Sequence, residues 1–281
     1  MMEMSEYWTK LLSDEKEQPI WWERKQELWE REKGSIVKVE GRGEPFQNIR
    51  YDDKTNEDHL LHLRFLIKQE GRYHLEEQVL HYRLERKNGE IINYKEILPE
   101  IPNRKTPSIQ VKEAEESGRQ DFVYDRREAV RYAERWWNSY NPAFRVFDDD
   151  CTNYISQCLY AGGAPMRGAP QRDRGWWYQG NNWSYSWSVA HSLRWYLSGS
   201  TVGLRGRELE NPQDLMLGDV ICYDFEGDGR WDHNTIVVNK DFYGMPLVNA
   251  HTNNSRNRYW TYEDSAAWTP NIQYKFFRIG E

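Results

Sequence analysis

A thiol, an imidazole and polar side chains able to orient that imidazole follow one another in an order suited to nucleophilic acyl chemistry. Cys151 opens Asp150-Cys151-Thr152-Asn153-Tyr154-Ile155-Ser156-Gln157-Cys158-Leu159, directly after the acidic run Asp148, Asp149 and Asp150. The pattern predicts a helix with Cys151 in its first turn, where unpaired backbone N–H groups favour thiolate and draw the thiol pKa toward neutrality. The neighbouring carboxylates work against that ionisation. His233 stands in Asp232-His233-Asn234-Thr235-Ile236-Val237-Val238, at the head of an expected strand, and Leu247-Val248-Asn249-Ala250-His251-Thr252 forms the next. Joined by a short turn around Tyr243-Gly244, the two can set a histidine beside a polar residue across an antiparallel pair. Such a set would let a thiolate attack a carbonyl, an imidazolium protonate the leaving amine and a third side chain hold the ring. Taken singly, Cys151 reads as a buried structural thiol and His233 as a strand-capping residue bonded to Asp232. Their combination carries the catalytic reading.

Other chemistry is weaker. Asp224-Phe225-Glu226-Gly227-Asp228-Gly229-Arg230-Trp231-Asp232 imitates the first half of a calcium loop, but Thr235 stands where a bidentate Glu belongs, so a hairpin tip displaying Asp228-Gly229 is expected. No Cys/His spacing suits zinc, and neither a metal nor a cofactor is expected. His59, His62, His74 and His81 read as plain strand positions. Of the aromatics after Gly175, Trp187 and Trp195 read as core. Trp176, Trp177 and Trp183, in a Gly- and Asn-rich loop, are candidates for lining a substrate cleft.

Composition sets outer limits. The 281 residues carry a formal charge of −7 with no basic face, which argues against a nucleic-acid partner. No run reaches the roughly 18 apolar residues of a membrane span, and Met-Met-Glu-Met-Ser-Glu-Tyr lacks the basic start and apolar stretch of a signal peptide. A cytoplasmic location as encoded is the expectation, with export by another route left open. Three cysteines suit a reducing compartment, Cys158 and Cys222 reading as small buried residues. Mean hydropathy is low at −0.97, yet 14 Trp, 18 Tyr and 9 Phe provide ample apolar area for a core.

These residues need elements to hold them. Residues 3–33 read as helical, with Pro19 separating two helices. Alternating runs at 36–40, 62–68 and 77–85, with turns at Glu70-Gly71 and Asn88-Gly89, predict an antiparallel sheet. Residues 1–98 thus read as a small α+β domain of unknown role, 99–120 as a Pro-containing linker, and 121–281 as a second α+β domain. That domain should hold an amphipathic helix capped by Asp125, the Cys151 helix ending at Gly162-Gly163, a helix over 188–197, and strands at 219–224, 234–238, 247–250 and 273–279.

Asp150-Cys151-Thr152-Asn153-Tyr154, Gly218-Asp219-Val220-Ile221, the His233 strand and Val248-Asn249-Ala250-His251-Thr252 together resemble the amidase domain of Gram-positive bacteria related to NlpC-type and CHAP cell-wall peptidases. The resemblance covers about 121–279, including Trp183-Ser184-Tyr185-Ser186-Trp187, and implies a papain-like fold with helices packed on an antiparallel sheet. It implies Cys151 as nucleophile, His233 as general base, Asp150 and Asp232 in support, and the Cys151 N–H as one oxyanion donor. The third position falls to Asn249, followed by a small residue as in the family, or to its rival His251, two residues on and on the same strand face. The implied substrate is a peptide or amide of the peptidoglycan type. A non-catalytic module binding wall-like peptides, or an acyltransferase on the same fold, remain as alternatives, and the oligomeric state is open.

Overall fold

The computed structural model describes residues 8, 12, 18–97, 107–110 and 122–280. The chain divides into two units, Met1–Glu100 with Thr261–Trp268, and Ile101–Trp260 with Thr269–Glu281. A short excursion late in the chain thus belongs with the N-terminal unit. Most of the first helix expected before Pro19, and most of the 99–120 linker, lie outside the described residues.

In the first unit, α1 (Ile20–Arg31) starts where Pro19 ends an extended residue. Four strands follow in order, β1 (Gly34–Tyr51), β2 (Lys54–Gln69), β3 (Arg72–Lys87) and β4 (Glu90–Glu96), each antiparallel to the next. The turns at Glu70-Gly71 and Asn88-Gly89 have positive φ at both central residues, the geometry that matches the twist of the strands they join. Trp21, Trp22, Leu28 and Trp29 of α1 are buried, as are Leu61, Leu63, Phe65 and Ile67 of β2 and Leu80, Tyr82 and Leu84 of β3. Inside lies Lys25, fully buried, paired to Glu76 and at 2.7 Å to Asp264 of the 261–268 segment, with Phe65 under its ammonium at 4.8 Å.

The second unit begins with α2 (Arg126–Trp136), whose N-cap Asp125 accepts from the N–H groups of Arg127 and Glu128, and α3 (Cys151–Ala161). The short strands β5 (Tyr178–Gln179) and β6 (Asn182–Trp183) pair with each other, and α4 (Tyr185–Ser188) and α5 (Ala190–Gly199) follow. Then come β7 (Gly206–Leu209), β8 (Val220–Asp224), β9 (His233–Lys240), β10 (Pro246–Ala250), β11 (Ser255–Tyr259) and β12 (Gln273–Ile279). They form an antiparallel array in the order β11-β10-β9-β8-β12-β7. The core takes Ala129 and Ala133 from α2, Tyr154, Ile155, Cys158 and Leu159 from α3, and Val220, Cys222, Ile236, Val238 and Phe277 from the strands. Gly162 ends α3 where a Cβ would stand 2.4 Å from the Tyr124 ring.

Strands make up 40% of the protein and helices 22%, which corrects the expected fold class. The chain is mainly antiparallel sheet with few helices, and the papain-like arrangement of helices packed on a sheet is not what forms. One physical reason for the high strand content lies in the first unit, where strand pairing runs well past the alternating stretches. Bulges at Ile36/Lys38 and Pro45/Gln47 carry β1 through Val37 and Phe46, which point to solvent, so the ladder continues where apolar periodicity stops.

The Gly218-Asp219 motif is a structural staple. Asp219, with no exposed surface, accepts from the N–H groups of Met216 and Ile279 and from Arg126 at 2.6 Å, fastening the start of α2 to the chain ahead of β8 and to β12. Among the described residues, no helix is long and apolar enough to cross a membrane.

Candidate active site

Cys151 occupies the first position of α3, as its local sequence predicts, and is 1% exposed. Its Sγ lies 3.5 Å from Asp149 Oδ1 and 3.6 Å from Thr152 Oγ1, and the backbone N–H of Asn234 is directed to it. Burial, and then the Asp149 carboxylate, push this thiol well above its ordinary value, while Thr152 and the Asn234 N–H pull the other way. The helix N-terminus therefore does not deliver the lowered thiol pKa expected from position alone. Desolvation of the thiolate outweighs it. Cys158 and Cys222 are completely buried, and burial raises both.

Asp150 is the N-cap residue by position, but its side chain makes no capping bond to the helix. It accepts instead from the Phe147 N–H at 3.0 Å and the Asn153 side chain at 2.9 Å, tying the preceding loop to the first turn of α3. Its other oxygen lies 2.8 Å from Nδ1 of His251, whose Nε2 donates to the Trp136 carbonyl at 2.8 Å. The His251 ring stacks on Tyr154 with centroids 4.0 Å apart. His251 is thus built into the support of the first turn of α3.

His233 is the first residue of β9 and 8% exposed. Its ring lies against Tyr223 and Phe225, with centroids at 5.7 and 6.1 Å. Burial, followed by the positive charge of Arg258, lowers its pKa to about 3. Alternation along β9 puts His233 on the face of Tyr223 and Thr235, and Asn234 on the face of Ile236 and Val238, which pack into the core with α3. Asn234 reaches Thr152 Oγ1 from Nδ2 at 3.0 Å, while its Oδ1 is buried and without a partner among the described residues. The thiol therefore touches the residue next to His233, and no hydrogen bond joins Sγ to the imidazole in this state.

Asn249 donates to Glu134 Oε1 at 2.9 Å and accepts from the Asn257 N–H at 2.9 Å. Neither Asn249 nor His251 hydrogen-bonds His233. Asp232 closes the β8–β9 turn, its N–H donating to the Tyr223 carbonyl and its carboxylate accepting from the Phe225 N–H. Burial, and then the charge of Glu226, raise the Asp232 pKa to about 7. Carboxylate oxygens of Asp224, Glu226 and Asp232 lie within 4.8 Å of one another, but Asp224 is occupied by the N–H groups of Gly227, Asp228 and Gly229, which shapes the expected hairpin tip.

Of the aromatic candidates for a cleft, Trp176 and Trp177 are core residues, 0% and 1% exposed. Their indole N–H groups donate to Ser156 Oγ, and to the carbonyls of Gln171 and Arg174. Burial rules both out as a substrate-facing surface. Trp183 remains half-buried on β6, against Phe147 at 4.8 Å.

Three residues near the thiol lack a sequence signal of their own, Thr152, Asn234 and Thr252, while Asp149 acts on it as the acidic run suggests. Thr252 holds φ at +83°, a strained value for a β-branched residue, and donates to Asp149 Oδ1 at 3.1 Å. The polar residues flanking Cys151 and His233 in sequence were the available clue.

Residues 123–277 match the family described as "Putative amidase domain". The chain is 48% identical over 266 residues to the uncharacterized protein YhbB of Bacillus subtilis (strain 168), covering 92% of this chain and 85% of that one. It is 28% identical over 139 residues to the uncharacterized protein YjcM of the same organism, covering 46% of this chain and 31% of that one. No solved structure matches. By the match over residues 123–277 and the likeness to YhbB along nearly its whole length, the chain belongs to this amidase domain family.

Proposed function

We propose that the protein is a thiol-dependent amidase or peptidase that works through an acyl-enzyme on Cys151, with His233 as general base. The observation that carries this reading is the meeting of the first turn of α3 with the head of β9, where the Asn234 N–H bonds the Cys151 sulfur one residue from His233. In the resting state both groups are neutral, the thiol raised and the imidazole lowered by burial. Hydrogen bonds of this kind are often long or unmade before substrate arrives. On binding, the His233 ring, which at rest faces Tyr223 and Phe225, turns toward the sulfur and accepts the thiol proton, sulfur attacks the amide carbonyl, and the proton passes to the departing amine. Water then resolves the thioester. The Cys151 N–H, at a helix start, is free of intrahelical bonding and suits an oxyanion.

For substrate class, the resemblance of the four motifs to cell-wall amidases supports peptide or amide bonds of the peptidoglycan type. A panel of muropeptides and simple peptide amides, followed by mass spectrometry, tests this. Release of an amine from at least one supports the reading, and inertness toward all removes it. A second reading, a binding module without turnover, is favoured by the near-complete burial of the thiol. Retention of muropeptides with no product would establish it.

A further inference from the structure

Two arginines on the second unit stand out for what they lack. Arg145 and Arg172 are exposed, and neither is ion-paired among the described residues, whereas Arg83, Arg126 and Arg256 each hold a carboxylate at 2.6–2.7 Å. Both guanidiniums lie over the ring of Trp183, at 5.5 and 5.3 Å from its centroid. Arg145 also lies 6.0 Å from Phe147, and Arg172 5.0 Å from Tyr185. A cation–π contact does not use up the guanidinium N–H donors as an ion pair does, and so leaves most of them for a planar, bidentate acceptor.

The cluster is held in place. Arg172 Nε donates to the Trp183 carbonyl at 3.1 Å, and the Arg145 N–H donates to Tyr178 Oη at 2.9 Å. The Arg145 carbonyl accepts from Asn153 of α3 at 2.9 Å, and Phe147 is bonded to Asp150, so this loop is fastened to the turn that begins with Cys151. Asp148 and Asp149 share the loop, but Asp149 is taken up by Thr252 and the thiol, and Asp148 pairs with neither arginine.

We propose that Arg145 and Arg172, ordered on Trp183, form a carboxylate-binding subsite beside the nucleophile helix. Its role in substrate choice rests on the amidase reading, which would then favour acyl groups bearing a free carboxylate. Binding itself does not rest on it. The test is an NMR titration of the full ¹⁵N-labelled chain with succinate and with its neutral diamide at constant ionic strength, following the indole N–H of Trp183 assigned through W183F. A saturable shift with succinate, a much smaller one with the diamide and its loss in R145Q/R172Q are expected. Each single variant should weaken succinate about tenfold, as removal of one charge-assisted partner does. Equal responses to the two ligands, or an unchanged response in R145Q/R172Q, would overturn the proposal. Carboxylate binding without amide cleavage by the wild type would leave the subsite standing and remove the hydrolase reading.

Discussion

Both units bury ionisable side chains, and the Lys25 cluster of the first handles charge in the opposite way to the Cys151–His233 pair of the second. In the first, Lys25 meets Glu76 and Asp264, and Gln78 donates to both carboxylates. Every charge there has a partner, which is how a low-dielectric interior tolerates charge. In the second, Cys151 and His233 are also removed from water, and the nearby charges that act on them oppose ionisation. Asp149 opposes a thiolate and Arg258 opposes an imidazolium, so the pair stays neutral. Compensated burial holds a structure together. Uncompensated burial, as at Cys151, keeps an ionisable group neutral.

The contrast can be broken at either end. The largest effect is expected at the uncompensated end, where C151A should lower kcat/KM by about a thousandfold or more with the fold intact by circular dichroism. At the compensated end, K25M should lose about 3–5 kcal/mol in urea unfolding, because it strands two buried carboxylates. A K25M/E76Q/D264N variant should recover part of that loss. If K25M were neutral, the cluster would not be the anchor described.

Next in size is H251A. It should destabilise by about 1–3 kcal/mol, since Asp150 loses a buried partner and Tyr154 its stacking surface. Its activity loss should follow the loss of folded protein if His251 supports the helix, and exceed it if His251 orients the base.

The pH dependence sharpens the comparison further. With His233 at about 3 in the folded state against about 6.5 unfolded, the unfolded chain binds the extra proton between those values, so this residue lowers stability as pH falls from 6.5 toward 3. Asp232 acts oppositely. Held at about 7 against about 3.9 unfolded, it keeps its proton in the folded state and lowers stability as pH rises through that range. The two slopes oppose each other between about pH 4 and 6.5. Denaturation profiles should therefore tilt downward with pH in H233Q and upward in D232N, each relative to wild type. Identical profiles would contradict the assigned shifts. The smallest effect is expected from T152V, which removes the hydroxyl at Sγ and should slow alkylation of Cys151 by iodoacetamide at pH 8 about threefold to tenfold, with T152S restoring it.

How much was legible in the sequence depended on whether the signal was local. Turns at Glu70-Gly71 and Asn88-Gly89 were readable because positive φ restricts the residue types, and Asp125 was readable as a cap because it bonds its own helix. The start of α3 at Cys151 was readable from the acidic run before it, although Asp150 makes no capping bond. The length of β1 was not, because Gly41, Gly43 and Pro45 interrupt the alternation, and pairing with β2 holds the strand regardless. That extra pairing, in the first unit, adds to the strand content that outweighs the helices. The burial of Trp176 and Trp177 was hidden by a loop composition typical of surfaces, since their N–H partners are distant in sequence or are backbone carbonyls. Membership of 261–268 in the first unit rests on Asp264 meeting Lys25, a long-range pairing without local signature. At the site, the chemical types of Cys151 and His233 were plain, but the desolvation that keeps them neutral is a property of the folded surroundings.

The central claim is that Cys151 becomes acylated. Incubation with a cleaved amide substrate, acid quenching within the pre-steady-state phase and peptide mapping by mass spectrometry test it directly. An adduct with the mass of the substrate's acyl portion is expected on the peptide containing Cys151, absent from Cys158 and Cys222 and absent in C151A. Undiminished hydrolysis by C151A, with no adduct on the wild type, would contradict it.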